Sequence, residues 1–199
     1  MSKVAITGNA SGAGVFTIAS PNSATDRTLT LPDETGTVVT TASLYPLTSG
    51  TAVASTSGTA IDFTGIPSWV KRVTVLFNAV STNGASDYLV QLGVGSPTTT
   101  GYLGSSSVIT TGVGTRNFTT GFGIYNNIAA GTVFNGSMTI TTMGANLWVS
   151  SGVFGMNGSV GTMPTGGSVT LSGTPDRIRI TTVNGTDTFD AGSINIMYE

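Results

Sequence analysis

Asn184, Asp187 and Asp190 place three oxygen-bearing side chains within seven positions near the end of a 199-residue chain. Calcium takes hard oxygen ligands, and this cluster supplies some of them. The interleaved acidic pattern and closing glutamate of a strong calcium loop are missing, and Asn184-Gly185 is itself a turn signal. A turn held by side-chain-to-backbone hydrogen bonds is therefore expected there, and no metal is assigned. Catalysis lacks its usual parts. The chain has no His and no Cys, which removes the commonest general base and the thiolate nucleophile. Its nine Asp and Glu residues are scattered over turns and termini, so glycoside hydrolysis has no evident carboxylate pair. No Gly-x-Ser-x-Gly elbow occurs. Neither enzymatic activity nor a cofactor is expected.

Recognition of a sugar is a different chemistry, needing flat apolar rings beside amides. Tyr125-Asn126-Asn127 and Tyr102 fall in segments that read as polar loops. A ring plus an amide with two donors and an acceptor suits a glycan. The same residues also suit a plain turn, because Asn tolerates left-handed backbone angles. Trp148 shares a strand face with Ser150 and Gly152, while Leu147, Val149 and Ser151 take the other. Turned outward, Trp148 is a stacking platform; turned toward a neighbouring subunit, it is buried there. Trp69, just ahead of a strong strand, is expected to pack at an inner sheet or a subunit contact.

The elements that position these residues are strands. Charged residues make up 8% of the chain, against about 25% in ordinary domains. The hydrophobic fraction is nevertheless 39%, the formal charge is -2 and mean hydropathy is +0.26, which is not the signature of disorder. Thr, Val and Ile favour strands and the 28 glycines favour turns. All-β is the expected class. Seven basic residues in small groups give no footprint for nucleic acid. No apolar run is long enough to cross a membrane as a helix, and the first residues lack the apolar run of a signal peptide. Synthesis in a cytoplasm without a cleavable export signal is the expectation.

Residues 1–41 read as a first unit with short strands that would bury Phe16, Ile18, Leu29, Leu31 and Val38. About 40 residues do not form a sufficient core without disulfides, metal or oligomerisation. With no Cys and few metal ligands, association with other copies is the route left. Residues 42–57 read as an uncharged neck, with Leu44, Tyr45 and Leu47 placed to touch a three-fold axis. In residues 58–199, strands are expected at 59–63, 70–80, 88–94, 106–111, 118–125, 133–143, 147–154, 168–171, 176–183 and 193–198. Val73, Val75, Phe77 and Ala79 should share one face, and Ile178 and Ile180 should oppose outward-facing Arg177 and Arg179. Turns are expected at Asn83-Gly84, Asn157-Gly158 and Asn184-Gly185, and a bulge at Asn135-Gly136. A jelly-roll-like β-sandwich accommodates such a string of strands.

Gly8-Asn9-Ala10-Ser11-Gly12-Ala13-Gly14, followed by Thr28-Leu29-Thr30-Leu31-Pro32 and Gly36-Thr37, resembles a module of bacteriophage tail fibre proteins. Residues 57–75 and 184–199 are similar to the two ends of the C-terminal domain of many marine and cyanobacterial phage fibres. That resemblance implies a short homotrimeric virion fibre. Its N-terminal stalk would attach to baseplate or tail proteins, and its head would bind a host polysaccharide or lipopolysaccharide. A purely structural baseplate or decoration component and a polysaccharide-degrading spike are the alternative readings.

Overall fold

The computed structural model of the chain describes residues 11–15, 17, 19, 22–26, 28, 47–126, 129–157 and 161–199. The chain divides into two compact units, Met1–Val38 and Val39–Glu199. Within the first, the described residues are exposed, and the Thr25 N–H donates to Ser23 Oγ at 3.1 Å. Phe16, Ile18, Leu29 and Leu31 lie outside the described residues of that unit, as do Leu44 and Tyr45 of the neck.

The second unit is built from antiparallel strands, and the described residues contain no helix. In chain order these are β1 (Thr48–Ser49), β2 (Val53–Ala54), β3 (Ala60–Thr64), β4 (Arg72–Thr82), β5 (Tyr88–Val94), β6 (Ser96–Pro97) and β7 (Leu103–Ile109). They are followed by β8 (Val113–Phe118), β9 (Phe122–Ile124), β10 (Val133–Gly144), β11 (Leu147–Asn157), β12 (Thr162–Thr170), β13 (Arg177–Thr182) and β14 (Phe189–Tyr198). The larger sheet runs β1-β14-β4-β10-β11-β12-β7-β8, with β2 also on β14. The smaller runs β3-β13-β5-β6, with β9 also on β5.

The pairing is nested. β2 pairs β14, β3 pairs β13, β4 pairs β10 and β5 pairs β9, alternating between the larger and the smaller sheet. The chain therefore behaves as one long antiparallel ribbon that turns a corner between successive pairs. Two hairpins, β7-β8 and β11-β12, are added to the edge of the larger sheet beyond β10. One hydrophobic cluster joins the inner faces, with Val75, Met138, Ile140 and Phe154 from the larger sheet and Leu92, Ile178 and Ile180 from the smaller. Each of these is fully buried. Burying such a side chain contributes roughly 1.5–3 kcal/mol.

Alternation in the sequence sets these faces. Val73, Val75 and Phe77 point inward, while Arg177 and Arg179 lie outside, paired to Asp176 and Asp62. The Asn135-Gly136 step is a bulge, where the β10–β4 register shifts between Phe134 and Gly136. Its counterpart in β4 is Ala79, expected on the inner face with Val73, Val75 and Phe77 but displaced by the bulge to φ 52°, so that Val80 takes the core position instead. On the far side β14 shifts register at Gly192, φ 89°.

Several expectations change. Residues 48–54, expected within a neck linker, pair along β14 and belong to the larger sheet. Backbone hydrogen bonding to an otherwise open strand edge explains this despite the bland sequence. β8 was not expected, and β12 is longer than the 168–171 segment suggested. Asn83-Gly84 and Asn184-Gly185 do turn the chain, yet each links strands of different sheets. The tight two-residue hairpin is instead Ala145-Asn146, at φ 48° and 59°.

Candidate functional site

Strand directions give the head two ends. At one end, called the base, β1 begins beside Tyr198, β4 begins, and the β10–β11 turn and Glu199 lie. The Lys71 and Arg72 amides both donate to the Glu199 carbonyl there. At the other end, the tip, lie the connections β2–β3, β4–β5, β7–β8, β9–β10, β11–β12 and β13–β14. Four tip loops interlock. The Phe189 N–H donates to the Gly58 carbonyl, and that of Gly131 to the Thr82 carbonyl, each at 2.9 Å. The Asn83 N–H donates to the Thr188 carbonyl at 3.0 Å, and Asn83 Oδ1 accepts the Thr188 N–H at 2.9 Å.

Asn184 organises its own turn. Its Oδ1 accepts from Thr182 Oγ1 and from the Thr186 and Asp187 amides, at 2.9, 3.1 and 3.2 Å. Its Nδ2 donates to Asp187 Oδ1 at 2.6 Å. Asp187 Oδ2 then reaches across to accept the Ser86 N–H at 3.0 Å. Asp190 accepts instead from Ser81 Oγ. These oxygens serve turn geometry, and no group of three or more His, Cys, Asp or Glu among the described residues gathers as for a metal. A Cβ at Gly84 would displace the Asp187 carboxylate from this position.

Beneath the tip is a charged knot. The Asp87 side chain, 1% exposed, accepts from Arg116 Nη1 and, at 2.7 Å, from the Asn126 N–H. The Arg116 guanidinium also lies 4.6 Å above the Tyr125 ring, a cation–π arrangement. Hydrogen bonding to Asp87 raises the Arg116 pKa further above its ordinary value. Asn126 is buried, with Oδ1 lacking a hydrogen-bond partner among the described residues.

The ring residues expected to meet a sugar are therefore not at the surface. Tyr125 and Asn126 are held inward by the Asp87–Arg116 pair, and Asn127 lies outside the described residues. Tyr102, also buried, folds over the smaller sheet, where its hydroxyl accepts the Leu92 N–H at 2.9 Å. Its ring meets Phe122 edge-on at 5.0 Å. Burial pushes the Tyr102 phenol well above its ordinary range and Tyr88 up to about 12. Trp148 faces the core of the chain itself and is 3% exposed, which removes the outward platform. What remains accessible of it borders a cavity of about 320 Å³ at the base, also lined by Ser68, Lys71, Thr142, Asn146 and Pro175. Trp69 is partly buried against Tyr198, with ring centroids 5.9 Å apart.

Sequence reasoning missed Asn83, Ser86, Asp87 and Arg116. The available signal was Asp87 itself, a lone carboxylate directly before an apolar run, since a buried acid demands a partner. No family model, no curated protein and no solved structure matches the chain.

Proposed function

We propose that the chain is a bacteriophage tail fibre protein, a homotrimeric virion component that adheres to host cells and performs no catalysis. Residues 1–41 attach it to a baseplate or tail protein, and the tip of the head faces a surface polysaccharide or lipopolysaccharide. The observation that carries this reading is the polarity of the head: the chain enters it at the base, and at the opposite end four loops, β2–β3, β4–β5, β9–β10 and β13–β14, interlock into one surface. The nested strand pairing supports a jelly-roll sandwich, a scaffold that offers loops at its ends for recognition. The resemblance at residues 8–37, 57–75 and 184–199 supports the fibre assignment.

With its aromatic candidates buried, the tip meets sugar hydroxyls through Asn83, Asn184 and Thr186, which are exposed. Single contacts of this kind are weak. Three heads per fibre raise avidity without new chemistry. A second reading, a structural baseplate or decoration component, is favoured by the degree to which the tip side chains already satisfy one another. The full-length chain incubated with a panel of bacterial surface polysaccharides separates the readings. Retention on at least one glycan without new reducing ends is the expected result. New reducing ends would make the protein a degrading spike, and no retention at all would favour the structural component.

A further inference from the structure

The outer face of the larger sheet carries almost no charge. One row crosses eight strands as Ser49, Met197, Thr74, Thr139, Ser151, Gly166, Ser105 and Asn117, each the register partner of the next. A neighbouring row runs Arg72, Thr141, Val149, Ser168 and Leu103, so the sole ion in the two rows is at the base. Arg72 is itself paired with Glu199. The opposite outer surface differs: on the smaller sheet Arg179 makes a two-pronged pair with Asp62 at 2.8 and 2.7 Å, and Arg177 binds Asp176.

The uncharged face also holds four strongly exposed apolar side chains, Leu103 (74%), Val113 (70%), Val153 (59%) and Ile109 (43%). Between them lies a shallow groove of about 220 Å³ along Ser105, Ser107, Pro164 and Gly166. The sheet ends at β8, an edge strand whose one charged side chain, Arg116, is held by Asp87 and which lacks the proline or lysine that commonly protects an open edge.

We propose that this face, from β14 across to β8, is buried against a second copy of the chain and forms the contact between the heads. The proposal rests on the trimeric fibre reading. Seven strands about 4.8 Å apart, each rising about 3.3 Å per residue, present on the order of 1,000 Å². A standard interface needs about 800 Å² per partner. This face carries one ion pair, Arg72 with Glu199 at its base end, whereas covering the smaller sheet would desolvate two arginine–carboxylate pairs. Interface cores are depleted of charge in the same way.

Light scattering of the full chain and of Thr139→Arg, at the middle of the face, tests this. Thr181→Arg on the smaller sheet is the control. The wild type and the control should give three copies of a 20.0 kDa chain, about 60 kDa, and Thr139→Arg a single copy with its β spectrum retained. A wild-type mass near 20.0 kDa would remove the trimer reading and this proposal together. A trimer that persists in Thr139→Arg would overturn the face assignment alone. Should Thr139→Arg not fold, Ser151→Cys and Thr64→Cys decide the matter, since both positions are exposed in the single chain and it has no cysteine of its own. Labelling at Ser151→Cys several-fold slower than at Thr64→Cys supports the contact, and equal rates refute it.

Discussion

The side-chain oxygen of Asn135 accepts the backbone N–H of Ala79 at 2.8 Å. Ala79 bulges out of β4 in a left-handed conformation, and the adjacent strand supplies the acceptor that the ladder no longer provides. Gly136 and Gly192 flank the bulge on its two sides, and at either position a Cβ would strike backbone of the adjoining strand.

Asn135→Ala should therefore destabilise the head by about 1 kcal/mol, the usual net worth of one such hydrogen bond. Gly192→Ala should cost more, about 2 kcal/mol or above, since it combines a positive φ with a collision. Urea midpoints of the two variants check the order. An Asn135→Ala loss equal to that of Gly192→Ala would mean that the side-chain acceptor, not the backbone geometry, holds the bulge.

Arg116 is 48% exposed on its side chain, so by exposure alone its removal should be harmless. The carboxylate it serves is 1% exposed, however, and removal strands a buried charge. Arg116→Ala is expected to cost about 3 kcal/mol. Adding Asp87→Asn, which keeps an acceptor for the Asn126 amide without the charge, should recover part of that loss. A double-mutant cycle reads the coupling directly, and additive losses would contradict the pairing.

Tyr88 and Tyr102 make the head sensitive to alkali. Burial raises both phenols above the ordinary value of 10.0. A raised folded-state pKa contributes stability fully below the unfolded value and loses it as pH climbs through the folded one. Stability should thus hold to about pH 10 and fall toward pH 12 and above. Tyr88→Phe, which gives up only a 3.4 Å contact to Thr82, should be nearly neutral at pH 7 and should shallow the alkaline decline. Denaturant melts across that range, with tyrosinate absorbance recorded in parallel, check both the sign and the window.

Much of the fold is legible where alternation and burial coincide. The 88–94 segment is β5 as read, and the facing of Val73, Val75 and Phe77 follows from period two, which fails at Ala79 because the bulge moves Val80 into the core in its place. The Asn135-Gly136 bulge was readable because a turn pair sits within an apolar run. β8 was not, since Gly114, Thr115, Arg116 and Asn117 look like a loop and only the register with β7 makes them a strand. β12 was shortened by Pro164, Gly166 and Gly167, which carry no strand preference of their own. The site was less legible than the scaffold. Tyr102 and Tyr125 have polar neighbours in sequence, but the chain folds each ring inward, where a hydroxyl or an overlying guanidinium meets a buried partner. Nothing local in the sequence announces Asp87 as the partner of Arg116, 29 residues away.

Because the chain has no cysteine, either end of the head can be blocked at one chosen atom. Thr186→Cys at the tip and Ser68→Cys at the base, each coupled to a bulky polymer, should be compared for retention on a glycan that the unmodified protein binds. The polymer at Thr186→Cys should abolish retention, and that at Ser68→Cys should leave it intact. Retention lost from the base and kept at the tip would move recognition to the cavity beside Trp148 and contradict the polarity on which the fibre reading stands.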